Sequence, residues 1–201
     1  KSRQFWIGIV VVLVVLVAAV LLYAASIAID TSSVEVAECI SLEGNEEFIL
    51  FPTFSGESLT DVETTFPDVF STEYVMTLIV FTRKHQEDAL SWLPVMQELV
   101  DSHDGLSFYD IPLAPDLSAI ERGLIMLGTK GMIDSAYHAN VIMVYTENRE
   151  VFLEVMGIPG FEIPQLVITN MAGEVIWRID ALYSEEQVIA LREQVALLFG
   201  D

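Results

Sequence analysis

The chain has 201 residues, 53% of them hydrophobic, and carries 30 acidic against nine basic side chains, a formal charge of -21. So apolar an average and so large a charge belong to different segments. Together with a single cysteine they exclude a polytopic membrane protein, a nucleic-acid binder and a disulfide-rich secreted scaffold.

Residues 5–29 hold the apolar excess. From Phe5 to Ile29 no side chain is charged and 23 of the 25 positions are hydrophobic, Gly8 and Ser26 being the exceptions. At about 1.5 Å per residue the segment reaches roughly 37 Å, enough to cross a hydrocarbon core of about 30 Å with some tilt. A cleaved signal peptide has an apolar core of only about 7 to 15 residues, so a retained transmembrane helix is expected. Lys1 and Arg3 precede it, and Asp30, Glu35 and Glu38 come after it. That Lys/Arg bias puts the N-terminus in the cytoplasm. The expectation is a single-pass protein of the cell inner membrane, anchored at its interfaces by Phe5, Trp6 and Tyr23, with its C-terminal domain periplasmic or extracellular.

Residues 1–29 are thus a cytoplasmic stub and membrane helix, 30–47 an acidic connector, and 48–201 the folded domain. The chain beyond residue 29 holds all 30 acids and seven of the nine bases, a charge of -23. Val75 to Phe81 is a nearly continuous apolar run, the pattern of a strand buried on both faces. Trp92, Val95, Met96, Leu99 and Val100 then fall on one face of a helix, with Pro94 near its start or kinking its second turn. Leu106 to Tyr109 reads as a strand, and Ile120 to Leu127 as a helix ended by Gly128. Val141 to Tyr145 is another buried strand, and Glu147 to Met156 a helix stopped by Gly157 and Pro159. Gln165 to Thr169 and Glu174 to Arg178 are strands joined by a short hairpin around Gly173. A last helix starts at a capping box of Ser184 and Gln187, buries Val188, Leu191, Val195, Leu198 and Phe199, and ends before Gly200. Alternating strands and helices imply parallel pairing, and the final hairpin adds an antiparallel edge: an α/β domain, its mixed sheet flanked by helices on both faces.

The order β-α-β-α-β-α-β-β-α resembles the thioredoxin fold in its membrane-tethered, peroxiredoxin-like form. The carriers are the strand ending in Phe81, the polar loop leading to the helix with Pro94, Ile163-Pro164 before a strand, the hairpin at Gly173 and the terminal helix. Phe51-Pro52 through Gly56 resembles the opening segment of peroxiredoxin-like members. The resemblance implies that Pro164 is a cis proline facing the redox loop. It also puts the family's Cys-x-x-Cys on Gln86, Glu87, Asp88 and Ala89, where no cysteine occurs. A thiolate is the nucleophile of disulfide exchange, and none of these side chains replaces it. Trp92 to Pro94, Met126 to Asp134 and Ile163 to Trp177 also resemble the mitochondrial ATP synthase assembly factor with a thioredoxin-like domain.

Cys39, in the connector, is the only thiol, suited to an intermolecular disulfide or to no reaction at all. Glu35 and Glu38 beside it disfavour a thiolate. His85, Glu87 and Asp88 crowd one loop, but a transition-metal site needs three or four convergent ligands, so they read as a solvated helix start and no metal or cofactor is expected. No phosphate loop, nucleophile elbow or dinucleotide fingerprint occurs. The expected function is a non-catalytic, membrane-tethered interaction module: an accessory subunit or assembly factor of a membrane protein complex, energy-transducing complexes included. Its acidity suits partners with basic outer surfaces, and no substrate and no nucleic acid is expected. The alternatives are a thiol-dependent oxidoreductase using Cys39, and a solute-binding domain with a pocket beneath Pro164.

Overall fold

The computed structural model describes residues 48–200. The membrane helix expected at 5–29 with Phe5, Trp6 and Tyr23, the expected connector 30–47 and Cys39 lie outside the described residues. Among those described, no helix is long and apolar enough to cross a membrane.

A hairpin of β1 (Phe54–Ser58) and β2 (Glu63–Phe66) comes first. After it come β3 (Tyr74–Val80), α1 (Gln86–Ser102), β4 (Leu106–Pro115), α2 (Ala119–Met132), β5 (Ile142–Thr146), α3 (Arg149–Met156), β6 (Gln165–Asn170), β7 (Val175–Asp180) and α4 (Glu185–Phe199). The strands make one sheet in the order β2-β1-β5-β4-β3-β6-β7. As the apolar run predicts, β3 is central, and every residue after Tyr74 is buried. It pairs in parallel with β4, from Tyr74 opposite Leu106 to Val80 opposite Pro112, and antiparallel with β6. β5 continues the parallel part beside β4, and β7 is the antiparallel edge.

Both faces are covered. On one, Trp92, Met96 and Leu99 of α1 and Leu191 and Val195 of α4 pack on Met76, Leu78 and Phe108. On the other, Phe152 and Met156 of α3 join Phe51, Phe66 and Phe70 over Val75, Ile79 and Ile111. The Phe51 and Phe70 ring centroids are 5.5 Å apart and those of Phe66 and Tyr109 meet edge to face at 5.3 Å, within the range in which aromatic pairs attract. Trp92 is fully buried, and its Nε1–H donates to the Ala181 carbonyl at 2.9 Å, which ties α1 to the end of β7.

Several elements differ from the sequence reading. The β1–β2 hairpin is absent from it, because each of its short polar segments buries a single residue, Ser58 and Phe66. Gly56 is required there: a Cβ would stand 2.7 Å from the Met143 carbonyl oxygen of the neighbouring strand. β4 does not stop at Tyr109 but runs through Asp110 to Pro115. Gly128 does not end α2, which continues to Met132. Pro94 lies in the middle of α1, well past the first turn where its missing N–H would go unnoticed. At Ser184 only half of the capping box forms, Oγ accepting from the Gln187 N–H at 3.2 Å. The reciprocal box sits at α2, where the Glu121 carboxylate accepts from the Ser118 N–H at 3.0 Å and the Ser118 hydroxyl accepts from the Glu121 N–H.

α2 stands apart from the other helices. None of its residues is buried, it contains Gly123, Gly128 and Gly131, and Ile120, Leu124 and Leu127 are 77%, 66% and 70% exposed.

Replacing Trp92 by Phe removes the donor to Ala181 and leaves a buried carbonyl unpaired. A loss of roughly 2 kcal/mol or more is expected, from the unpaired group and the cavity together, read as a lower midpoint in urea unfolding with unchanged slope.

Candidate functional site

The turn between β3 and α1 carries the positions at which the resemblance expects a thiol. Thr82 ends the strand run, Arg83–His85 form a 3-10 turn, and Gln86 opens α1. No side chain caps this helix, but Glu87 and Asp88 occupy its first turn, where acids complement the helix dipole. Each of the four positions has its own surroundings. Gln86 Nε2 reaches the Met132 sulfur at the end of α2, at 3.1 Å. Glu87 is exposed. Asp88 accepts from the Tyr183 backbone N–H at 2.8 Å, and Ala89 is buried in the core. None of these atoms is a nucleophile for disulfide exchange.

His85 is not solvated as expected. It is 5% exposed, and its Nε2 bonds the Glu162 oxygen at 3.0 Å, so Nε2 carries the hydrogen and Nδ1 is left buried without a partner. This bond holds the segment before Pro164 against the start of α1. Pro164 itself is buried, and its carbonyl accepts from the Ala181 N–H at 2.8 Å. It is not the cis proline, however. The cis bond lies at Phe66-Pro67, and the bond preceding Pro164 is trans. Close by, the Arg149 guanidinium donates to the Phe81 carbonyl at 2.7 Å and lies 4.1 Å from the Phe161 ring centroid. Burial lowers its pKa. On this side the turn is held by structural contacts. Among the described residues no three His, Cys, Asp or Glu side chains come together as metal ligands.

A cavity of about 610 Å³ opens beside this turn, between α1, α2 and the upper half of β4. It does not lie beneath Pro164, which is absent from its lining. Its walls are mostly apolar, with Leu90, Leu124, Ile125, Ile133 and Met143 among them. Set in those walls is Asp110, 2% exposed, its Oδ1 without a hydrogen-bond partner. Asp110 faces this side because side chains alternate along β4: Tyr109 and Ile111 join the phenylalanine cluster, while Phe108 and Asp110 face α1 and α2. Burial away from water pushes the Asp110 carboxyl up to about 7. Thr82 Oγ1 is a second buried, unpartnered polar atom on a residue lining the same cavity.

A larger, more polar cleft of about 800 Å³ lies on the other side of α2, against the β1–β2 hairpin. Lys130 Nζ meets Asp61 Oδ1 at 2.6 Å, and the Arg122 guanidinium stacks over Tyr145 at 5.1 Å.

No protein-family model matches this chain, and neither does any curated protein sequence. Its similarities are to solved structures. A thiol:disulfide interchange protein from Bacteroides sp. superposes with a TM-score of 0.50 at 15% identity, covering 74% of this chain and 89% of the other. A protein described as thiol:disulfide interchange protein DsbE, from Chlorobium tepidum, gives 0.50 at 13% identity over 75% and 95%. At such identities the likeness speaks for the fold alone: residues 48–200 have a thioredoxin-like fold, a mixed sheet flanked by helices.

The sequence reading misses Asp110 because it ends the strand one residue short of it. The available signal is an acid inside an apolar run, Phe108 to Leu113, where a charge has no solvated face to occupy.

The raised carboxyl pKa has a definite sign in stability. Well below pH 4 Asp110 is protonated in both the folded and the unfolded chain, and ionisation takes nothing from stability. As pH rises towards 7 only the unfolded chain loses its proton, so stability falls, and above the folded pKa the loss is complete. Asp110→Asn carries no such penalty. It is expected to gain on the wild type progressively from about pH 4 to 7, by up to about 4 kcal/mol, with no further gain above. Urea titrations of both proteins across that range check it.

Proposed function

We propose that this protein is a non-catalytic, thioredoxin-like interaction module, tethered to the membrane through residues 5–29 and acting as an accessory subunit or assembly factor of a membrane protein complex. The observation that carries this reading is the turn before α1. At Gln86, Glu87, Asp88 and Ala89 there is no thiol, and Gln86, Asp88 and Ala89 are committed to Met132, the Tyr183 backbone and the core. A fold whose reactive position has been given over to structural contacts has binding left to do.

Charge supports a protein partner. The segment after residue 29 carries -23, which repels anionic lipid headgroups and nucleic acid and attracts basic protein surfaces. The tether would hold the domain near subunits of the same membrane and raise their effective concentration.

Two measurements test this. Extraction of the full chain in mild detergent at native expression is expected to yield a stoichiometric complex with other membrane subunits, weakened when salt rises from about 0.1 to 1 M as the Debye length falls from about 10 to 3 Å. Recovery as a lone monomer overturns the reading. Disulfide-reductase and peroxidase assays are expected to show no activity above background; an activity that disappears in Cys39→Ser would instead make the protein a thiol-dependent enzyme.

A further inference from the structure

A carboxyl enclosed by apolar walls is costly unless something pairs with it. Among the described residues Asp110 has no ion pair, and its Oδ1 has no hydrogen bond. Nor does the fold need a carboxyl there. Asp110 lies level with Leu78 on β3, two positions inside the strand end where Val80 faces Pro112, and its Oδ1 takes no part in the contacts that hold the strands together. The cost is therefore tied to the space in front of it. That space has the volume and the mostly apolar lining of a small-molecule site, with a polar group set into its wall.

We propose that this cavity binds a small molecule with an apolar body and one protonated amine, the ammonium group pairing with Asp110 and the body lying against Leu90, Leu124, Ile125 and Met143. Three observations select an amine over an alcohol or an acid. An ammonium supplies the donor that Oδ1 lacks and cancels the buried charge as well, whereas a hydroxyl supplies the donor alone. An anion would place a second negative charge beside the carboxyl, which only protonation of Asp110 would relieve. The domain's strongly acidic surface concentrates cations at any opening. Asp110 and Arg83 are the charged or titratable side chains in the lining. Arg83, from the turn before α1, is exposed and so works against a cation only through screened charge. This assignment stands whether or not a protein partner docks elsewhere on the domain.

The test uses the full chain in nanodiscs and three matched probes, 4-phenylbutylamine, 4-phenylbutanol and 4-phenylbutyrate, titrated calorimetrically. At pH 8 the amine is expected to bind at least tenfold more tightly than either of the others. Because the pairing needs an ionised Asp110, the amine's advantage should shrink several-fold at pH 5.5, a measurement that requires no variant. In Asp110→Asn the amine and the alcohol should bind within about twofold of each other. Thr129→Trp, which fills the cavity, should abolish binding of all three, provided its circular dichroism matches the wild type. An amine that binds no better than the alcohol at pH 8, an advantage that survives Asp110→Asn, or tightest binding by the acid each overturns the proposal.

Discussion

Because every residue of β3 after Tyr74 is shut away from solvent, both faces of that strand need a cover, and the rest of the domain is arranged to supply it. One face takes α1 and α4, the other α3 and a cluster of phenylalanines. The neighbours of β3 are fixed by the same requirement. A parallel partner reached through α1 and an antiparallel partner from the final hairpin leave no open edge beside the most apolar strand. The turn after β3 is held from several sides. His85 bonds the Glu162 carbonyl, Arg149 bonds the Phe81 carbonyl, and Asp88 bonds the Tyr183 N–H. That turn is thus tied to three separate parts of the domain.

The cavity arises where that covering runs short. α1 extends over β3 and the lower part of β4, while α2 offers Met126, Thr129 and Lys130 as its most covered side chains and buries none. The upper part of β4 is thereby left with a space in front of it, and Asp110 looks into that space. The carboxyl and the cavity are two results of one deficit. The same deficit leaves apolar side chains of α2 largely exposed, Ile120, Leu124 and Leu127 among them.

The order of elements is legible in the sequence from β3 onward, because long apolar runs and helical stripes report burial directly. Trp92, Met96 and Leu99 are readable as a buried face for that reason, and so are Leu191 and Val195. Elements that bury little leave little trace. β1 and β2 read as loop because Ser55, Glu57 and Glu63 dominate their pattern. α2 reads as shorter than it is because Gly128 resembles a stop, yet it lies mid-helix with open space around it. That Gln86 to Ala89 hold no cysteine is plain from the sequence alone. Which proline is cis is not, since Pro164 and Pro67 both follow large apolar residues and only the packed structure separates them. Asp110 falls between these cases: its strand is recognisable, but a charge there reads as the strand's end, although it is the strand's most informative residue.

The three glycines of α2 have a consequence for access. A helix-interior glycine costs about 1 kcal/mol relative to alanine, and here Gly123, Gly128 and Gly131 fall within a helix that gains little from burial. Each such glycine lowers the cost of opening this helix locally. It is also a wall of the cavity. Alanine at Gly123, where a Cβ would meet nothing within 4 Å and which does not line the cavity, would therefore steady that wall without adding a contact to whatever lies against Asp110.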